Sequence, residues 1–276
     1  MTSLRILLST LSSVLWAVVV AATTTSISHD TTTTTTQVRV QFYGESKCPF
    51  CRKFVTEAWP NVWNDPELRA HVDYDFIPWG NAYFVISECS SSSTIRSAAH
   101  PYSSQERACW YDHCYKNNNN RENDDDDEDC FSGPTVYQHG EQEGILDVYE
   151  TCIKTQVSLE EAVAFTYCAE GPAMERYDGN ATKLLETCLT NSTTVCPHKI
   201  QKCYRQQGRA LEIQNAKQTP PHPGVPYVVV DGMPLEDPLN IQTAICNRLK
   251  EKGATLPQSC AGSSTKTEED AKERIA

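Results

Sequence analysis

The stretch Glu45-Ser46-Lys47-Cys48-Pro49-Phe50-Cys51-Arg52-Lys53-Phe54 sets two cysteines two residues apart, directly after a strand-like run. In that run Val38, Val40 and Phe42 alternate with more polar neighbours, the period of a strand with one face inward, and Gly44 closes it. Pro49 stands where a first helical turn would begin, and Phe50, Phe54 and Ala58 share a face up to Trp59-Pro60. A strand followed by Cys-x-x-Cys and a helix delivers Cys48 to the helix N-terminus, with Cys51 one turn in. Unpaired N–H groups and the helix dipole there stabilise a thiolate, pulling its pKa below the free value of about 8.5. Cys48 is thus the candidate nucleophile and Cys51 the candidate resolving thiol, and together they are the candidate catalytic pair.

The rest of the chain supplies the elements such a site needs. His71 to Ile77 carries a second strand pattern, with Val72, Tyr74 and Phe76 in alternation before Pro78-Trp79-Gly80-Asn81. From Gly140 to about Ala216 the pattern is helical. Strand character returns in Val225-Pro226-Tyr227-Val228-Val229-Val230, a continuous apolar run suited to burial on both faces, and Asp231-Gly232 gives a turn. Asp237-Pro238 caps a last helix with Ile241, Ile245 and Leu249 on one face. The order β-α-β, inserted helices, β-turn, α predicts an α/β, thioredoxin-like fold with a helical, disulfide-containing insertion. In that fold a proline opening a buried strand is a candidate cis-proline, which would let the backbone before it pair with an extended substrate. Val225 and Pro226 are therefore candidate substrate-binding residues; the alternative is an ordinary trans proline at a strand start.

The N-terminus indicates the compartment. Arg5 precedes a mostly apolar run from Ile6 to Val20 that ends in Ala21 and Ala22, a secretory signal pattern over residues 1–22 that is short for a bilayer span. No stable membrane insertion is expected after its cleavage. Residues 23–37, with six consecutive threonines from Thr31 to Thr36, read as a linker, residues 38–260 as the folded domain and 261–276 as a disordered tail. Within the domain, 87–133 is read as a polar, acidic insertion and 134–216 as a helical insert. Asn180-Ala181-Thr182 and Asn191-Ser192-Thr193 are acceptors for N-glycans at Asn180 and Asn191.

Thirteen cysteines in a secretory chain imply several bridges, and setting aside Cys48 and Cys51 leaves an odd number, so at least one is unpaired within the chain. Cys89, Cys109, Cys114 and Cys130 fall inside the polar insertion and are expected to form two internal bridges. The formal charge is −12, but seven acidic residues lie between Glu122 and Asp129, so more than half the excess is local and reads as a solvated loop. No basic patch with interleaved aromatics points to nucleic acid.

Other chemistries remain open at this level. Cys48 and Cys51 with Cys196, His198 and Cys203 could supply zinc ligands, but a ribbon needs a second close Cys-x-x-Cys, and the expectation is no metal. His139 with Glu141 and Glu143 could suggest acid–base work; the reading preferred here is a turn, Gln138-His139-Gly140, seating the helical insert. A permanent Cys48–Cys51 bridge in a non-enzymatic secreted binding module is a further alternative, although so short a loop makes a poor staple. A thiol oxidase or isomerase would use the same pair in the opposite direction. No bound cofactor is needed in either direction, because the cysteine pair carries the electrons.

Several separated segments, in order, resemble one family, the gamma-interferon-inducible lysosomal thiol reductases. They are Tyr43 through Cys51, Pro78-Trp79-Gly80-Asn81, Gln138-His139-Gly140-Glu141-Gln142-Glu143, Ala216 to Pro223 and Val225 to Asp237. The resemblance implies a reductase that opens protein disulfides through Cys48 and Cys51, often at acidic pH. Its expected partners are partly unfolded, disulfide-containing proteins and a small thiol or protein reductant, and its expected location is lysosomal, endosomal or extracellular. The chain departs from the family signature where Tyr137 and Gly144 replace cysteines and Asp147 replaces asparagine, while Cys152 is retained. For the other cysteines, local pairs 152–168, 188–203 and 246–260 are expected, leaving Cys196 as the odd one.

Overall fold

The computed structural model describes residues 36–90, 101–116, 127–190 and 194–261. The signal, most of the Thr-rich linker, Asn191, most of the acidic run and nearly all of the tail lie outside the described residues. In chain order the main elements are β1 (Val38–Gly44), α1 (Pro49–Lys53), β2 (Val72–Pro78), β3 (Tyr83–Phe84), α2 (Ser104–Tyr111) and β4 (Thr135–Val136). Then come α3 (Glu141–Lys154), α4 (Leu159–Glu170), α5 (Ala181–Cys188), α6 (Pro197–Gln218), β5 (Tyr227–Val230), β6 (Met233–Pro234) and α7 (Ile241–Glu251).

The central sheet runs β2-β1-β5-β6. β1 and β2 are parallel, in register from Val38 opposite Val72 to Gly44 opposite Pro78. β5 lies antiparallel on the other side of β1, and β6 antiparallel to β5 through a turn at Asp231 and Gly232 with φ of 49° and 80°. A β-α-β unit joined in one sheet to a β-β-α unit is the thioredoxin-like arrangement that the sequence predicts. α1 leaves regular geometry at Phe54–Ala58, where the helix widens by one residue and Trp59 N–H bonds back to Phe54 C=O at 2.9 Å. Pro60 follows immediately and starts the next short turn.

The alternation read in β1 becomes the core. Val38, Val40 and Phe42 are fully or almost fully buried, and the Phe42 ring sits 4.5 Å from Phe54 and 4.9 Å from Phe76. Val228 and Val230 join them from β5, and Ile241, Ile245 and Leu249 from α7. The insert has its own apolar centre, with Leu146, Ile153, Phe165, Leu184, Leu185 and Ile200 all at 1% exposure or less. A third cluster joins Trp79 and Phe84 to Trp110 and Phe131. The 87–133 region, polar on average, is thus anchored by a few aromatic side chains: Trp110 is fully buried and donates its indole N–H to Cys130 C=O at 2.9 Å.

Five disulfides close the described structure. Cys89–Cys109 and Cys114–Cys130 lie within the polar insertion, and Cys246–Cys260 ties α7 to the segment after it, as expected. Cys196 is free and exposed. The expected pairs 152–168 and 188–203 are corrected to Cys152–Cys203 and Cys168–Cys188. Short sequence separation misleads here because α3 packs against α6, with Tyr149 edge-on to Tyr204 at 5.4 Å, so Cys152 faces a helix about fifty residues on. No helix among the described residues is long and apolar enough to cross a membrane.

Closing the 51-residue span between Cys152 and Cys203 removes more unfolded-chain entropy than closing the 14-residue span between Cys246 and Cys260. Loop entropy puts the two at about 4 and about 3 kcal/mol. Urea unfolding of the paired Cys→Ala variants should therefore rank the 152/203 variant as less stable; the reverse order would show that native-state contacts, not chain entropy, set the difference.

Candidate active site around Cys48 and Cys51

After Gly44 the chain crosses from sheet to helix through Glu45-Ser46-Lys47, and side chains of the insert take up its N–H groups. Ser46 N–H donates to Asp147 Oδ1 at 2.9 Å, and Lys47 N–H to Glu170 Oε1 at 3.3 Å. Lys47 sits at φ 69°, a region costly for a residue with a side chain, so the bond its N–H donates to Glu170 secures the turn. Glu45 is buried, and its Oε2 accepts the Asn81 N–H at 2.6 Å. Gly80 has φ 56°, and a Cβ there would lie 2.4 Å from Glu45 Cβ, so glycine is what lets the 78–81 segment close over the carboxylate.

Cys48 caps the N-terminus of α1 with extended backbone and Pro49 follows at the first helical position. Both thiols are free in this structure and nearly inaccessible, at 4% for Cys48 and 2% for Cys51, whereas Phe50 between them is 67% exposed. The two thiols are electrostatically unequal. Cys48 is drawn down to about 4, first by the hydrogen bond from the Cys51 thiol and, against the cost of burial, by the His139 ring and the N–H groups of Cys51 and Phe50. Cys51 is pushed up, by burial first and then by the neighbouring Cys48. His139 is raised to about 9 by Cys48 beside it and next by Glu45. Its Nε2 lies 3.2 Å from Glu45 Oε1, and one donor atom from each of Glu45, Cys48 and His139 falls within 4.8 Å of the others. Arg52, directly after the motif, is engaged with Glu175 at 2.7 Å.

Behind these residues lie four more carboxyls with at most 3% exposure: Glu143, Asp147 and Glu150 on α3, and Glu170 on α4. Burial raises Asp147 to about 7 and Glu170 to about 8. Burial also raises Glu143 and Glu150, each pushed further by a like charge, Glu45 for the first and Glu170 for the second. Glu143 accepts the His139 backbone N–H, so the acid cluster is tied to the turn that carries the imidazole.

The other predicted residues fall as follows. The Val225–Pro226 bond is cis. Tyr227 pairs with Tyr43 at the end of β1, so Val225 and Pro226 stand at the same end of the sheet as Cys48. The loop before them is held by Arg107 of α2, whose Nη2 lies 2.8 Å from His222 Nε2, with His222 stacked on Tyr227 at 5.5 Å. Asn180 is exposed and caps α5 by accepting the Lys183 N–H at 3.0 Å. Gln138-His139-Gly140 is the turn expected before α3, with Gly140 at φ 84°, and it also places His139 on the thiol. The two departures that replace cysteines meet in space: a Cβ on Gly144 would lie 2.2 Å from the Tyr137 ring, so that ring occupies the room beside α3. Sequence reading missed the roles of Glu45, Asp147, Glu150, Glu170 and Arg107. A signal for part of the set was available, since 143, 147 and 150 fall on one face of a helix that also carries the apolar Leu146 and Ile153.

A carboxyl with a raised pKa in the folded state holds a proton the unfolded chain has lost. Its contribution is complete below about pH 4 and is lost as pH climbs through about 7 for Asp147 and about 8 for Glu170. In the reduced protein the raised His139, whose first cause is Cys48 beside it, acts in the same direction. Cys48, drawn down, acts oppositely in the reduced protein, and closing a Cys48–Cys51 bond removes its titration. His222, kept neutral by burial and lowered to about 4, opposes only below about pH 6.5. The thermal midpoint of the oxidised protein is therefore expected to rise from pH 8 to pH 6.5, and Glu170→Gln to flatten the rise. A midpoint indifferent to pH across that window would contradict the burial argument.

Comparison with known proteins bears on the same region. The model of the family described as "Gamma interferon inducible lysosomal thiol reductase (GILT)" matches residues 39–134. The chain is 26% identical over 241 residues to the gamma-interferon-responsive lysosomal thiol protein of Arabidopsis thaliana, covering 83% of this chain and 78% of that one. It is 27% identical over 230 residues to the gamma-interferon-inducible lysosomal thiol reductase of Mus musculus, covering 81% and 72%. Among solved structures it is similar to the reduced form of the disulfide bond oxidoreductase DsbG from Mycobacterium tuberculosis, with TM-score 0.47, 14% identity and coverage of 83% and 84%. The matched region includes the Cys-x-x-Cys strand and helix, and both relatives extend the similarity over most of the chain, so in sequence this protein resembles the gamma-interferon-inducible lysosomal thiol reductases.

Proposed function

We propose that this chain reduces disulfide bonds in partly unfolded proteins by dithiol exchange through Cys48 and Cys51, in an acidic compartment of the secretory pathway. The inequality of the two thiols carries the reading: Cys48 is ionised well into the acid range, while Cys51 is buried and protonated. The Cys48 thiolate attacks one sulfur of the substrate disulfide, forming a mixed disulfide and releasing the first substrate thiolate, to which the neighbouring His139 imidazolium can give a proton. Cys51 then loses its proton and attacks Cys48 Sγ. The Cys48–Cys51 disulfide forms, the second substrate thiol leaves, and two electrons have passed to the substrate. An external small thiol or protein reductant restores the pair, so no bound cofactor takes part.

The surroundings favour extended, apolar substrates. Phe50 is a large exposed apolar side chain between the cysteines, and the backbone at Val225 and Pro226 lies at the same end of the sheet, before the β5 ladder begins, where an extended segment can pair. The word lysosomal in the names of both relatives, the signal pattern at residues 1–22 and the raised carboxyls favour a lysosomal or endosomal location. Asn180, exposed at the start of α5, fits an N-glycan acceptor there, together with Asn191.

A dithiothreitol-driven assay with a denatured, disulfide-bonded protein at about pH 5 and pH 7 tests this. Cys48→Ser is expected to abolish turnover and Cys51→Ser to trap the mixed disulfide. His139→Gln should raise the Cys48 pKa and slow reduction more at pH 5 than at pH 7, since each unit above the working pH costs about tenfold in thiolate. A Cys48→Ser protein with full activity, or a folded wild type inactive at both pH values, would overturn the reading.

A further inference from the structure

We propose that the reduced protein binds one thiophilic divalent cation through Glu45, Cys48 and His139, and that this ligand blocks thiol–disulfide exchange. Among the described residues this is the one trio of metal-ligating side chains whose donor atoms lie within 4.8 Å of one another. The ligand set is one sulfur, one imidazole nitrogen and one carboxylate oxygen, all of them types that Zn²⁺ accepts, and three protein ligands leave a fourth position for water or a substrate atom. This is not the grouping that the Cys-x-x-Cys spacing alone suggests. Cys203, a ligand in that alternative, is bonded to Cys152, and Cys196 is exposed.

The trio is built rather than incidental. Glu45 is 2% exposed, and Asn81 N–H fixes its Oε2. Its second oxygen, Oε1, is buried and lies 3.2 Å from His139 Nε2, so an ion that displaces the imidazole proton meets both atoms on the side facing Cys48. Bond lengths of about 2.0–2.3 Å at tetrahedral angles put donor atoms about 3.2–3.8 Å apart, so small side-chain movements would close the ligands on an ion. The Glu143 carboxylate, accepting the His139 N–H, fixes the orientation of the turn that carries the ring. Coordination transfers no electrons: Cys48 enters as thiolate, and any proton on the thiol or imidazole passes to solvent. The sulfur lone pair that would attack a disulfide is then committed to the ion.

This inference shares Cys48 with the reductase reading, so the test reads binding without turnover. The full chain is reduced, freed of reductant and titrated with Co²⁺, following the thiolate-to-cobalt absorption, and then with Zn²⁺ in competition. One equivalent should bind. Oxidation to the Cys48–Cys51 disulfide should abolish the band, and His139→Gln and Glu45→Gln should each weaken affinity by about tenfold or more. Cys51→Ser retains all three ligands and should bind like wild type. Where Glu45→Gln does not fold, as judged by circular dichroism, Glu45→Asp takes its place. Unchanged affinity in folded His139 and Glu45 variants, or loss of binding in Cys51→Ser, would assign the metal to the two thiols alone and overturn the proposal. An active reductase that takes no metal also overturns it and leaves the reductase reading standing; a protein that takes metal through the trio without reducing substrate does the reverse.

Discussion

The site depends on the three-residue passage from β1 to α1. Glu45, Ser46 and Lys47 must leave the sheet, turn and enter the helix in the interior, where unpaired N–H groups are costly. Two of those N–H groups are satisfied by carboxylates from α3 and α4. The helical insert is therefore part of the active-site wall, and its position relative to the thioredoxin-like sheet is tied to the loop that carries Cys48. Asn215 of α6 adds a second tie, donating to both Pro78 C=O at 2.9 Å and Thr151 Oγ1 at 2.7 Å.

Accepting those N–H groups requires buried acids, and buried acids are comfortable only when protonated or matched by cations. The structure uses both solutions. His139 supplies the positive charge close to Cys48, between the thiol and Glu45, while the carboxyls behind it are pushed toward the protonated form. The same arrangement that stabilises a thiolate at acidic pH therefore favours an acidic setting for the fold around it. The charges flanking the motif in sequence contribute less: Arg52 is paired with Glu175, and the Lys47 side chain packs against Gly179.

The strand alternation, the Cys-x-x-Cys at a helix start, the returning Val225–Val230 run and the α7 face were legible because each is a short-range pattern imposed by burial on one element. The cis bond before Pro226 was legible only through the fold it belongs to. The polar average of 87–133 concealed Trp110 and Phe131, because a few aromatic side chains supply more buried area than the surrounding residues dilute. The pairings 152–203 and 168–188 were not legible, since helices adjacent in sequence need not face one another.

The sequence by itself determined the Cys-x-x-Cys pair and its place at a helix N-terminus, the thioredoxin-like order of elements and that one further cysteine stays unpaired within the chain. Only the tertiary structure decided what surrounds the thiols. It brought Glu45, His139 and Cys48 to within 4.8 Å of one another from positions up to 94 residues apart, and set Asp147 and Glu170 under the turn. The physical reason is that burial patterns are read along one element, whereas a pKa is set by charges and dipoles arriving from several. A glutamate in a helix looks the same in sequence whether it faces water or an unpaired N–H.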